Sequence, residues 1–277
     1  MRTKIPTELY EEIIDLYQSG LSLEKIGQKY NVGRFAIKTV LNKRGVPTRD
    51  DSHKGRKYAI NENYFDEIDT PNKAYIFGLL YADGCNNRKT NHVNLELQEK
   101  DKDMLDKINI EIGSNKPLHL NELSKKSDKW QNTYRLTISN KHISETLEEK
   151  GLVPKKSLIL EFPKWMPDEL LPHFLRGYID GDGHIQCFRN RSVSFASTEQ
   201  FCLEVQKRLE KLGIKSYIHN TANKETSTRI LYVFTISNIV NFLNYIYKDA
   251  ELYIQRKYDA YQIFLEETNN TNNSLSA

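Results

Sequence analysis

The sequence is poor in the features that place a chain most quickly. Its 277 residues include three cysteines, Cys85, Cys187 and Cys202. They form no CxxC pair and leave one over, which excludes a disulfide framework or a zinc ribbon and makes reduced packing thiols the expectation. No apolar run approaches the roughly eighteen residues of a membrane span, and the start, Met1-Arg-Thr-Lys-Ile-Pro6, lacks the apolar stretch of a secretory signal. A cytosolic or nuclear chain is expected, neither secreted nor bound to membrane. Nor is there a large excess of charge, the formal net being +3. What is present is enough for folding. At about 150 residues per domain the length gives roughly two domains, and 38% hydrophobic with 28% charged residues fits packed cores under a water-facing surface, mean hydropathy being -0.65.

The small net charge hides an asymmetry. Residues 1–60 carry twelve Lys/Arg against seven Asp/Glu, and the remainder carries 28 against 30. A basic segment at one end of a slightly acidic body points to contact with a polyanion. In that segment Thr7 is expected to cap a helix bearing Leu9, Ile13, Ile14 and Leu16, which ends at Ser19-Gly20. Ser22 opens a second helix, with Leu23, Ile26 and Tyr30 on its apolar face and Asn31 as its C-cap. A third runs from Gly33 to Gly45 and buries Ile37, Val40 and Leu41, leaving Arg34, Phe35, Lys38, Asn42, Lys43 and Arg44 to the outside. Two short helices, a tight turn and a basic third helix resemble a helix-turn-helix, whose last helix enters the major groove. Beyond Pro47 the chain is polar and basic. A linker is expected over 48–70, with Arg56 and Lys57 as further contacts to DNA.

The remainder repeats itself. Ile76-Phe-Gly-Leu-Leu-Tyr-Ala-Asp-Gly84 recurs as Leu175-Arg-Gly-Tyr-Ile-Asp-Gly-Asp-Gly183, and Tyr134-Arg-Leu-Thr-Ile-Ser-Asn140 as Tyr232-Val-Phe-Thr-Ile-Ser-Asn238. Nearly constant offsets indicate a duplicated domain. The alternation of Val93–Gln98 and of Arg191–Phe195 predicts half-buried strands. Helical spacing follows in Met104, Leu105, Ile108 and Ile112, and again in Phe201, Leu203, Val205, Leu209 and Leu212. Strands over 118–123, 133–139, 216–220 and 229–237, and helices over 141–150 and 239–248, complete each copy. A C-terminal helix over 250–266 and a polar tail over 267–277 close the chain.

Each anchor reads as an apolar helix with small residues four apart, Gly78 and Ala82 in one, Gly177 and Gly181 in the other, so the two helices should pack backbone to backbone. Each ends in Asp-Gly. That puts Asp83 and Asp182 at the negative ends of two neighbouring helix dipoles, where like charge and dipole both oppose them and a divalent cation between them is the natural resolution.

Gly78, Ala82, Asp83 and Gly84, together with Leu175, Gly177, Ile179, Asp180, Asp182 and Gly183, resemble the signature of the LAGLIDADG homing endonucleases; Tyr81 and Arg176 depart from it. The resemblance covers about 72–265. It implies an α+β fold, two tandem αββαββα repeats (71–160 and 161–266) forming a pseudo-twofold saddle, preceded here by an all-α helix-turn-helix domain (1–47). It further implies a monomer that cleaves both strands of a long, partly palindromic DNA target with Mg²⁺, for which Mn²⁺ substitutes, leaving short 3′ overhangs, and a source in an intron or other mobile element. By the resemblance Asp83 and Asp182 bind the metal, Lys156 and Lys257 are the basic partners of the two centres, and Gln98 and Ser197 orient water. Asn94, Glu96, Arg135, Ser192 and Ser194, on strand faces, are candidate base or phosphate readers. Two other readings share the scaffold: a DNA-binding regulator without catalysis, and an RNA maturase.

Overall fold

The computed structural model describes residues 5–48, 57–127, 129–221 and 228–275. The chain divides between Lys57 and Tyr58 into two compact units.

The first unit is helical, with α1 (Tyr10–Gln18), α2 (Leu23–Lys29) and α3 (Arg34–Lys43) closing on Ile13, Ile14, Tyr17, Ile26, Ile37, Val40 and Leu41. Ser22 caps α2 by accepting from the Lys25 amide at 3.2 Å, and Asn31 follows that helix at φ 53°, as expected. Thr7 does not cap α1. It lies inside a 3₁₀ turn, Thr7–Leu9, that leads into the helix, so its hydroxyl is not placed over the first free amides.

The second unit contains the two repeats in the expected order. The first is α4 (Pro71–Asp83), β1 (Cys85–Asn87), β2 (His92–Gln98), α5 (Lys102–Glu111), β3 (His119–Asn121), β4 (Thr133–Ser139) and α6 (Lys141–Glu149). The second is α7 (Leu171–Asp182), β5 (Gly183–Gln186), β6 (Ser192–Thr198), α8 (Glu199–Lys211), β7 (Tyr217–Asn220), β8 (Thr228–Val233) and α9 (Ile236–Tyr247). A last helix, α10 (Gln255–Leu275), runs on well past the expected end at 266. Each repeat has one antiparallel sheet, ordered β1-β2-β4-β3 and β5-β6-β8-β7. Alternation decides their faces: Val93, Leu95 and Leu97 are buried while Asn94, Glu96 and Gln98 look outward.

Three expectations are corrected here. The linker stops short of residue 70, because Tyr64, Phe65 and Ile68 are buried in the core of the second unit. The Asn61 amide donates to Ile112 O at 3.0 Å, and His142 Nε2 lies 2.6 Å from Asp66 Oδ1, tying this stretch to the first repeat. Leu203 on α8 and Leu212 just past its end are exposed, and Cys202 takes the buried place between Phe201 and Val205. The third concerns the Tyr134–Asn140 and Tyr232–Asn238 match, whose two copies are out of structural register. Thr137 reaches Cys85 through Asn94, and Tyr232 reaches His184 through Ser194, so Thr137 corresponds to Tyr232. Because β8 ends at Val233, Ile-Ser-Asn of the second copy opens α9, whereas Asn140 caps α6 by accepting from the Ile143 amide at 3.0 Å.

Candidate functional site

The core of the second unit is organised around the contact of α4 with α7. A Cβ added at Gly78 would stand 2.0 Å from Phe174 O, and one at Gly177 would stand 2.0 Å from Tyr75 O. The expected small-residue interface therefore exists, and these glycines are required by backbone proximity. Further along, a Cβ at Gly181 would meet Ala82 Cβ at 2.5 Å and Asp83 Oδ2 at 3.0 Å. Gly84 and Gly183, just past the helix ends, are crowded instead by the preceding turn of their own helices. Both have ordinary extended backbones (φ -73° and -76°), and a side chain would strike Leu80 O at 2.3 Å or Ile179 O at 2.5 Å.

This contact brings Asp83 and Asp182 together at one end of the pair. Both residues are exposed, yet the surrounding protein strips much of the water from their carboxylates. Poor hydration, then the charge of Asp182, pushes Asp83 up to about 6 against the pull of Lys156, Lys257 and Arg256. Burial likewise raises Asp182, opposed by the same two lysines. Those lysines are placed alike. Lys156 Nζ donates to Ala82 O at 2.7 Å and Gly84 O at 2.8 Å. Lys257 Nζ donates to Ile179 O at 3.3 Å and, in a shorter bond, to Gly183 O. Each ammonium thus binds carbonyls at the C-terminal end of one anchor helix, beside its aspartate. Lys155, in the left-handed region at φ 56°, aims Lys156 there. Burial lowers both lysines; for Lys257, with Arg256 adding to the effect, the value falls to about 8.

Among the described residues no group of three or more His, Cys, Asp or Glu side chains could hold a metal ion. Two carboxylates beside an open surface do not make a closed cage for Zn²⁺ or Ca²⁺. They fit Mg²⁺, which is commonly held by one or two carboxylates and completes its shell with water and substrate phosphate.

Not every expected residue joins the site. Gln98 lies four residues past Asn94, the partner of Cys85, about 13 Å along the strand; it lines a surface groove with Leu123, Lys129 and Trp130 instead of facing Asp83. Ser197 is buried and receives the Tyr178 hydroxyl at 3.0 Å, which places it in the core. Ser192 lies on the outward face of β6, but Ser194 is covered between His184 and Tyr232. Asn94, Glu96 and Arg135 do share the outward face of the first sheet and are locked across the strands. Arg135 donates through Nε and Nη2 to Glu96 at 2.9 and 2.7 Å, and Thr137 donates to Asn94 at 2.7 Å. On α3, Arg34, Phe35, Lys38, Asn42 and Lys43 are all exposed, with Arg34 paired to Glu24 at 3.1 Å. Arg44 turns back toward α1, over the Tyr10 ring and 3.7 Å from Glu11. Lys57 is exposed, and Arg56 lies outside the described residues.

A second polar cluster has no part in the sequence reading. Asp180 is fully buried and accepts from the hydroxyls of Tyr75 and Tyr247 and from the Ile254 amide. Burial raises it to about 6 despite these bonds. Arg176, one turn earlier, is also buried and donates to Ile246 O at 2.7 Å and Leu252 O at 2.8 Å. The spacing carried the signal, since residues two apart on a helix face opposite ways; of Asp180 and Asp182 only one could point at Asp83.

Residues 169–247 match the family model of a LAGLIDADG-like domain. Solved structures similar to this chain include full-length DUF199/WhiA from Thermatoga maritima, at 18% identity over 78% of this chain and 70% of that one, with a TM-score of 0.48. Two others are LAGLIDADG proteins. The homing endonuclease I-LtrWI bound to target DNA is 14% identical over 76% of this chain and 92% of its own, TM-score 0.47. The LAGLIDADG meganuclease I-AabMI bound to uncleaved DNA is 14% identical over 74% and 92%, TM-score 0.48. No curated protein matches the chain by sequence. The matched span begins two residues before α7 and ends with α9, so it takes in Asp180 and Asp182 but neither basic partner.

Proposed function

We propose that this protein is a site-specific DNA endonuclease that hydrolyses one phosphodiester in each strand. The observation that supports it best is the doubling of one arrangement: Asp83 with Lys156, and Asp182 with Lys257, at the tips of two helices packed without side chains between them. Plain packing does not call for two unfavourable carboxylates at one interface, whereas phosphodiester hydrolysis does, because charge must be met on both the attacking and the leaving oxygen. Asp83 and Asp182 would hold Mg²⁺, with Mn²⁺ able to replace it, and the metal would supply Lewis-acid stabilisation of the phosphate and a more acidic bound water.

The chain's own groups do the rest. The aspartates orient water toward the phosphorus. Lys156 and Lys257, fixed by helix carbonyls, face the negative charge that grows on the phosphate oxygens as the bond to the 3′ oxygen breaks. Each repeat serves one strand, so one chain cuts a duplex as a monomer and leaves short 3′ overhangs. The outward sheet faces read the flanking bases, and α3, as the recognition helix of a helix-turn-helix, extends the contact. Since the two outward faces differ, the target is long and only partly palindromic.

Incubating the protein with a plasmid library carrying randomised inserts tests this. Mg²⁺-dependent linearisation of a specific subset is expected. Specific binding without any nicking would leave a DNA-binding protein and remove the nuclease.

A further inference from the structure

The two outward sheet faces differ in chemistry as well as in sequence. The face made by β1 to β4 is polar and cross-linked, with Arg135 on Glu96, Thr137 on Asn94, and Asn121 donating to Glu96 at 2.9 Å. The face made by β5 to β8 is aromatic. Tyr217 and Phe234 stack at 4.6 Å between ring centres, and His219 meets Tyr232 edge-on at 5.3 Å. Ala196 and Ile230 continue the same face. Among the described residues no lysine or arginine occupies an outward paired position of this sheet. Gln186, its amide-bearing member, spends its side-chain N–H groups on Phe188 O at 2.8 Å and Arg189 O at 3.4 Å. Among the described residues cations gather at the rim, as Arg189 and Arg191 in the β5–β6 turn and Lys215 just before β7.

Major-groove chemistry gives this contrast a meaning. Guanine is read by paired donors from arginine or lysine, adenine by asparagine or glutamine, and the thymine methyl by apolar contact. A face with aromatic and apolar groups beside His184, Ser192 and Ser194, and cations at its edge, can hold phosphates and touch methyl groups, and among the described residues it offers no arginine or lysine for the paired contact to guanine. Tyr217 and Phe234, 44% and 45% exposed, form the kind of open apolar patch that marks a contact surface. It is continuous with the centre, since His184 follows Asp182-Gly183 directly on β5.

We propose that the two repeats read unequal half-sites, and that the sheet of the second repeat takes an A·T-rich stretch of duplex DNA through apolar contact with thymine methyl groups. This rests on the endonuclease reading only in assuming that the sheets face DNA.

Selection from a randomised duplex library, with the full chain and Ca²⁺ in place of Mg²⁺, tests it. The bound pool should be lopsided, with one half rich in A·T and requiring no G·C pair. Arg135→Ala should relax the opposite half alone. Tyr232→Arg should create a preference for guanine of about tenfold at one position of the A·T half, and His219→Arg serves where the first variant does not fold. Required G·C pairs in both halves, a pool without sequence preference, or arginine variants that fold and leave the pool unchanged would each overturn the proposal. The selected duplex is then given Mg²⁺. If it stays intact, the nuclease reading fails while the base preference stands.

Discussion

Asp83 and Asp182 cost the metal-free protein stability, and that cost has a pH signature. Asp83 is held near 6 in the fold against an ordinary 3.8, so folding disfavours its ionised form. The penalty is complete above about pH 6 and vanishes as the pH falls below 4. Without metal, Asp83→Asn should therefore unfold later than the parent at pH 7, by about 1 kcal/mol, the solvent-exposed carboxylate being partly screened, and Asp182→Asn should shift in the same direction. The gap should close toward pH 4, as followed by thermal unfolding across pH, and a gap that grows in acid would contradict the assignment. Lys257, near 8, predicts the other limb. Cleavage should fall off above about pH 8 as its charge is lost, and in Lys257→Arg the fall should move to higher pH. At this scale the two aspartates could be picked out because a duplicated Asp-Gly is visible in one dimension, whereas the two lysines were named only through the family resemblance. The sequence did not show that Gln98 points elsewhere, since that depends on where β2 pairs with β1.

For the elements, the decisive fact is that α4 and α7 touch through backbone. Gly78→Ala or Gly177→Ala places a methyl group 2.0 Å from a carbonyl oxygen, which neither helix can relieve without moving the aspartates. A loss of more than about 3 kcal/mol in denaturant unfolding is expected; near-neutral variants would mean that the helices are not held this closely. The order of helices and strands could be read from periodicity, as could the small-residue faces. The first strand of each sheet could not be delimited, because Cys85–Asn87 and Gly183–Gln186 are too short to alternate. The offset of 98 between Tyr134 and Tyr232 was true of the letters and untrue of the register, since the shorter β8 turns the same tripeptide into a helix start. Burial of Tyr64, Phe65 and Ile68 was not legible because three apolar residues in a polar stretch have no period to reveal their partners.

Across the whole molecule, charge separates by unit. The basic N-terminal segment carries the exposed cations of α3, and the two-repeat unit carries the aspartates proposed to hold metal. If α3 meets DNA phosphates, replacing Arg34, Lys38 and Lys43 by alanine should weaken binding to all duplexes and reduce the slope of log affinity against log salt by about 0.9 for each phosphate that is no longer neutralised. An unchanged slope would remove α3 from the interface. The duplication and the uneven charge were both legible from the sequence. The unlike chemistry of the two sheet faces was not, because it emerges only once each strand's register assigns its residues to a side.

The central claim is that two equivalent aspartate–lysine centres each serve one strand, and strand-resolved cleavage of a selected duplex in Mg²⁺ tests it most directly. The parent should cut both strands, Asp83→Asn and Asp182→Asn should each abolish double-strand cutting, and Lys156→Met and Lys257→Met should slow opposite strands by about a hundredfold. Double-strand cutting that survives both aspartate variants would contradict the account.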